Sequence, residues 1–370
     1  MGVYRLISLL LISGFWHSSS GQGFTTLSAL PGELHESSGI EVINPNTFIS
    51  HNDGGDKAQL YIIDSSGTIL RTVFVQNAVN VDWEDMTMAP DGRVFIGNFG
   101  NNGHNRKDLE ILVLPKYEDW TTDTIMPTVI TFSFSDQTQF PPAAENHVFD
   151  CEALAFYQDS LYVFNKNWSS PFSGYVKMYV LPAHAGDFSV KPRDSVSLGS
   201  IREISWVTGA DIADSNLYLV GSAFVWKFKI KDNVFLDNPT QIMLNHFSQK
   251  EAISVWGNQI YITDESTGGF GNLYRYDEPT SQIKAVQNKA HGISIKQLHN
   301  GIQIENPLLL NMEVTISALD GKTMISQMTK TSLLKIEKKS EDAILSPGIY
   351  VLHINTDTQK NIWTKVWIGP

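Results

Sequence analysis

The chain has a single cysteine, Cys151, so no disulfide can form within it. Stability must come from packing or from a bound ion. Long apolar runs are equally scarce: apart from the stretch from Leu6 to Trp16, none approaches the roughly 18 residues that would span a bilayer. Basic residues are outnumbered, 27 Lys and Arg against 39 Asp and Glu, for a formal net charge of −12. That deficit argues against a nucleic-acid partner, because such binding needs Lys and Arg to neutralise phosphates. It suits cation binding or plain solubility. Also missing are a His-Glu-x-x-His zinc helix, a Walker phosphate loop and a Gly-x-Ser-x-Gly nucleophile elbow. Gly268-Gly269-Phe270-Gly271 is turn material, since no helical pattern follows it.

What is present falls into three segments. Arg5, the apolar run after it and the small polar Ser18-Ser19-Ser20-Gly21 have the form of a secretory signal. Cleavage is expected within residues 18–24, so residues 1–23 are read as a signal peptide. The mature chain, without a transmembrane segment, is expected to be secreted or held at the cell surface. Residues 24–290 alternate short Val, Ile, Phe, Tyr and Leu runs with Gly, Asn and Asp turns and keep no helical period, which is an all-β pattern. Residues 291–370 carry eight Lys against seven Asp and Glu, so the acidity lies upstream. Their antiparallel pattern, with a turn at Asp320-Gly321, reads as a small β-sandwich.

Within 24–290 the runs group in fours. The second run of each group aligns with the others: Thr47–His51, Arg93–Asn98, Ser160–Asn165, Asn216–Gly221 and Gln259–Thr263. Four short strands per unit, repeated at about forty to seventy residues, is the signature of a β-propeller. Five blades account for every run, and a sixth would need strands the sequence does not show. The last unit would take Gln282–Val286 as its fourth strand, while Phe24–Leu30 is a spare strand able to close the ring.

An acidic residue stands at the head of each unit: Glu36, Glu84, Glu152, Asp211 and Glu251. In a propeller the start of the innermost strand and the end of its hairpin partner lie at one face. These carboxylates, with Ser38, are therefore expected to meet at one mouth of the channel. There they join the polar second-strand exits that carry His51, Asn98, Asn101 and Asn165. Carboxylates gathered on an axis repel, so they take up protons or a counter-cation. An all-oxygen set suits a hard ion, and calcium, with six to eight flexible ligands, fits better than magnesium. The alternative is that the same carboxylates accept hydrogen bonds from neighbouring blades' backbone and merely fasten the ring. His51 is the candidate general base, and Arg106 and Lys166 could hold an anionic ligand over the metal or be surface charges. Trp83 and Cys151 are expected to point between sheets, opposite Glu84 and Glu152.

Two resemblances follow from particular residues. Val314–Lys322, Leu345–Leu352, Lys365–Ile368 and the entry Asn306-Pro307 resemble the C-terminal sorting domain of type IX secretion cargo. That resemblance implies passage across the outer membrane through the type IX secretion machinery, followed by surface attachment or release. The body, with Glu36-Ser37-Ser38-Gly39, Asp82-Trp83-Glu84-Asp85 and Gly97-Asn98-Phe99-Gly100-Asn101-Asn102, looks like a set of bacterial secreted propellers. It is more distantly similar to the calcium-dependent apyrases, five-bladed propellers with acidic and Ser side chains around an axial calcium. Position by position that likeness implies ligand roles for Glu84, Glu152, Glu251 and Ser38 only. The expectation is an exported propeller with a central calcium site that binds a small molecule or an envelope component. The alternative is a metal-dependent hydrolase of a phosphoester, nucleotide or lactone.

Overall fold

The computed structural model describes residues 24–244, 246–265, 270–278, 293–298, 301–318, 322–337, 339–340, 343–344, 348–356 and 361–368. The expected signal peptide and the strand expected at Gln282–Val286 lie outside them. The chain separates into two compact units, Met1–Glu278 and Pro279–Pro370.

The described strands of the first unit form five sheets, here I to V in chain order. Sheet I runs outward from Ser37–Asn44 through Thr47–Asn52 and Gln59–Asp64 to Ile69–Val75. Sheet II runs from Trp83–Met88 through Arg93–Asn98 and Leu109–Lys116 to Thr128–Phe134, and sheet III from Asp150–Tyr157 through Ser160–Lys166 and Tyr175–Pro182 to Asp194–Ser197. Sheet IV comprises Gly209–Ala213, Asn216–Val220, Phe224–Lys229 and Thr240–Met243; sheet V begins with Lys250–Trp256, Gln259–Asp264 and Asn272–Asp277. The outermost place in sheet V is filled from the other end of the unit: Thr25–Ala29 pairs antiparallel with Asn272–Asp277, Thr25 facing Arg275 and Ala29 facing Asn272.

The innermost strands pack in the cyclic order I, II, III, IV, V and back to I, which closes the ring. Between each neighbouring pair lies an apolar core, so the fold is a β-propeller. Sequence explains how one strand serves two cores. Side chains alternate across a strand, so Phe48 and Ile63 face sheet V while Ile49 and Ile62 face sheet II. Both faces are buried, and the strands therefore read as unbroken apolar runs. Trp83 is buried between sheets I and II, and Cys151 between II and III, as their spacing from the glutamates predicts.

Two additions have no local sequence signal. Thr124–Ile125, from the connection inside sheet II, lies parallel to the edge of sheet I, and Gly186–Val190, from sheet III, lies parallel to the edge of sheet II. Each of these two sheets thus has its rim extended by a loop of its successor.

The second unit is a β-sandwich. Ser294–Leu298, Gly301–Glu305 and Leu333–Glu337 form one sheet; Thr323–Thr329, Met312–Ala318, Gly348–Thr356 and Asn361–Ile368 form the other. A shared core joins them, with Ile302, Ile304 and Ile336 meeting Val314, Ile316, Leu352 and Ile354. Among the described residues no helix is long and apolar enough to cross a membrane.

Candidate functional site

Strand register defines the site more sharply than spacing does. The first hairpin of four sheets breaks register between Ser37 and Gly39, Trp83 and Met86, Cys151 and Ala153, and Lys250 and Ala252. Such a bulge leaves a residue outside the ladder and re-aims its side chain. The residues so placed are Ser38, Glu84 together with Asp85, Glu152 and Glu251. In sheet IV the ladder runs regularly from Gly209, and Thr208 stands at the corresponding position. Sheet I therefore contributes Ser38, and Ser38 Oγ lies 3.5 Å from Glu84 Oε2. Glu36, expected in this row, stands at the rim with a side chain 51% exposed, beside His35.

The carboxylates at this end form two overlapping groups. Asp53, Asp82 and Glu84 bring ligand oxygens within 4.8 Å of one another, and so do Glu84, Asp150 and Glu152. The second group is fully buried, whereas Asp53 and Asp82 are half-buried and open the first group to solvent. Glu251 Oε1 is buried with no hydrogen-bond partner. One ammonium reaches this group: Lys166 Nζ sits 2.9 Å from Glu152 Oε2. Burial alone would lower the Lys166 pKa, but Glu152, Glu251, Glu84 and Asp150 outweigh it and hold the amine charged.

Lys166, with the Arg106 guanidinium acting on Asp82, does not neutralise the cluster. Burial, reinforced by Glu152, Asp53, Asp150 and Asp82, holds Glu84 well above the usual carboxylate range. Burial pushes Asp53 up to about 7, with Glu152, Asp82 and Glu265 adding to it. Glu152 stays raised by burial despite its ion pair, and Glu251 is raised well above its ordinary value for the same reason. At neutral pH such a group holds protons or a cation.

The donor set fits a hard divalent ion: carboxylate oxygens with a nearby hydroxyl and no sulfur or imidazole. The backbone leaves room for it in two places. A Cβ at Gly100 would collide with Glu84 Oε1 and Asp82 Oδ2, and one at Gly54 with Asp82 Oδ1. Only glycine lets both loops close over the Asp53, Asp82 and Glu84 group. Asp150 is less free, since its oxygens accept the Asn101 N–H at 2.6 Å and the Trp168 indole N–H at 2.7 Å.

Three residues deeper along the inner strands lies a second polar row, Glu41, Thr87, Asp211 and Ser254, which fastens blade to blade. Glu41 accepts the Met88 N–H at 2.6 Å, Thr87 the Phe156 N–H at 3.1 Å, Asp211 the Val255 N–H at 2.7 Å and Ser254 the Val42 N–H at 3.3 Å. Asp85 joins three sheets, its Oδ2 accepting the Leu154 and Ala210 N–H groups at 2.8 Å each. Asp211, expected at the mouth, belongs to this fastening row, because Thr208, three residues before it, is the residue of sheet IV that corresponds to the mouth glutamates.

The other expected site residues have structural duties. His51 is fully buried, its Nδ1 3.0 Å from the Asn52 carbonyl and its ring edge-on to Trp83. Burial lowers its pKa to about 4. Asn98 Oδ1 accepts the Val81 and Asp82 N–H groups, Asn101 Oδ1 those of Asn105 and Arg106, and Asn165 Oδ1 that of Lys177. Their amide groups donate to the carbonyls of Val79, Phe149 and Val148. Arg106 donates to the Gly100 and Asn98 carbonyls and pairs with Asp108 at 3.1 Å, pinning the loop over the mouth. Lys166 is enclosed by carboxylates, so it is no surface charge. Asp53, Asp82 and Asp150 were missed as site residues. A signal existed for two of them: Asp82 and Asp150 each precede a mouth glutamate by two, the spacing that shares a strand face.

No protein-family model matches the sequence, and no curated protein matches it. Among solved structures the chain resembles the PQQ-bound aldose sugar dehydrogenase of Streptomyces coelicolor at 10% identity, over 69% of this chain and 98% of that one, with a TM-score of 0.43. Glutaminyl cyclase of Myxococcus xanthus shares 9% identity over 68% of this chain and 96% of that one, with a TM-score of 0.43. PorZ, a surface component of the type-IX secretion system of Porphyromonas gingivalis, shares 10% over 90% of this chain and 45% of its own, with a TM-score of 0.31. At these values none bears on what this chain binds, and the propeller rests on its own strand register and cores.

Proposed function

We propose that this chain is an exported binding protein whose channel mouth holds a calcium ion. Asp53, Asp82 and Glu84 are its ligands, with Ser38 and Glu251 close by. The ion offers an anchor for a small molecule or an envelope component. One observation carries the reading: two carboxylate groups share Glu84, and five carboxylates have only the Lys166 ammonium and, at Asp82, the Arg106 guanidinium to balance them. Asp53 and Asp82 are the half-exposed entrance through which an ion would arrive. A hydrolase would need a base within reach of the ion, and the enclosure of His51 weighs against it. The second unit serves in this reading as the sorting module that delivers the protein to the type IX machinery for secretion or surface display.

Calorimetry of calcium into chelator-stripped protein, paired with elemental analysis of the purified chain, tests the proposal. One bound calcium per chain, lost in Glu84→Gln, is the expected result. A heat-free titration together with metal-free protein overturns it.

A further inference from the structure

Beside the carboxylates lies a cleft of about 580 Å³ whose walls include Lys166, Trp168, Trp206, Thr208, Phe247 and Gln249. Trp168 and Trp206 meet with ring centroids 4.4 Å apart and planes 48° from parallel. Their indole N–H groups are already committed. That of Trp168 goes to Asp150 Oδ2, and that of Trp206 to the Asn167 carbonyl at 2.6 Å. What they offer a ligand is ring face, and Phe247, 64% exposed, adds a third ring. Polar groups stand at the same walls. The Lys166 ammonium keeps protons beyond its pair with Glu152, and the Thr208 hydroxyl, which donates to the Lys250 carbonyl, is left as an acceptor. The Gln249 amide joins them, with the side chains of Ser222, Ser248, His246 and the exposed Glu203.

Charge narrows the occupant. Lys166 Nζ lies 5.5 Å from the centroid of each indole, so a cationic ligand would meet an ammonium already at the ring faces. An anionic ligand would meet Glu152, Glu251, Glu84 and Asp150, whose charges surround that same ammonium. A purely apolar ligand would bury the polar walls unpaired. The molecule that uses ring faces, donors and acceptors together is neutral, with an apolar C–H face and a hydroxylated edge.

We propose that this cleft binds a neutral saccharide, stacked on the Trp168–Trp206 pair with hydroxyls directed to Lys166 and Gln249. The proposal names the ligand class of the binding protein inferred above, and it rests on that reading. A short free oligosaccharide and the end of an envelope polysaccharide carry the same chemistry.

The test uses the full mature chain and neutral gluco-, manno- and N-acetylglucosamine oligosaccharides, followed by tryptophan fluorescence and calorimetry. Co-sedimentation with the insoluble polymers separates a polymer end from a free sugar. At least one series is expected to bind and to quench fluorescence. Phe247→Ser should weaken it tenfold or more while leaving calcium affinity and melting temperature unchanged. Trp206→Phe should also weaken it at unchanged calcium affinity, with a lower melting temperature from its lost bond to the Asn167 carbonyl. Glu84→Gln should lose calcium yet keep the sugar. Preferential binding of tetramethylammonium or galacturonate, saccharide binding indifferent to both ring variants, or calcium binding with no saccharide bound overturns the cleft assignment. The last result leaves the calcium site standing, whereas sugar binding without calcium sinks the calcium reading alone.

Discussion

Two rows of polar side chains line the same channel three residues apart, and they are used in opposite ways. In the deeper row Glu41 and Asp211 accept backbone N–H groups from another sheet, as does Asp85 between the two rows. At the mouth the glutamates face one another and one lysine. Both rows are buried and both raise carboxylate pKa values through desolvation. The difference is the partner: an N–H answers the charge in one row, and a missing counter-charge defines the other. Acidic residues near an axis are thus no sign of a metal until their acceptors have been followed.

The comparison breaks most visibly at Asp85. Asp85→Ala strips the acceptor from the Leu154, Ala210 and Met86 N–H groups. Each unpaired buried donor costs about 1–3 kcal/mol, so urea denaturation should show a loss of about 3 kcal/mol or more, the same with and without chelator. Glu84→Gln should act oppositely. Removing one of several like charges is expected to raise the melting temperature of the metal-free protein and to lower calcium affinity roughly tenfold or more. A Glu84→Gln protein that is destabilised in chelator would move Glu84 into the fastening row.

Acidity sharpens the contrast next. Mouth carboxylates are raised above their unfolded values, Asp53 from 3.8 to about 7, so the folded protein binds more protons than the unfolded one. Their contribution to stability is full below about pH 4 and is lost as pH rises through about 7. Melting curves in chelator should fall across that interval, and saturating calcium should flatten the fall. The smallest effect belongs to Asp211→Asn. The amide keeps one oxygen for the Val255 N–H but none for the Ile212 N–H, so the loss should be about 1 kcal/mol, that of one bond, by urea denaturation with calcium affinity unaltered.

How much of this was legible in sequence follows the range of the interaction. The propeller was readable because the Tyr261, Ile262 type of run signals strands buried on both faces. Glu84, Glu152 and Glu251 were readable as a row because each opens a strand. Their register was not, since a bulge is a property of two strands and neither sequence alone marks it. For that reason Glu36 was expected in the row beside Ser38, and Asp211 in the place of Thr208. The duties of Asn98, Asn101 and Asn165 were hidden for a related reason: a side chain bonded to a distant carbonyl looks like any polar turn residue. Lys166 could be read as a ligand-holding or a surface charge, and not as the partner of the mouth carboxylates, because Glu84 and Glu251 are some eighty residues away in either direction.

The pairing of Thr25–Ala29 with Asn272–Asp277 gives the ring a seam, and the seam sets an order of events. Strands that are neighbours in sequence can zip early, but this contact must wait for nearly the whole unit, and such long-range closure is slow. Until it forms, the sheets are an open arc and sheet V is not held against sheet I. Closing the arc brings Glu265 toward Asp53. That adds to the repulsion already gathered where sheets I, II and III meet, and an ion at the mouth would ease the closure.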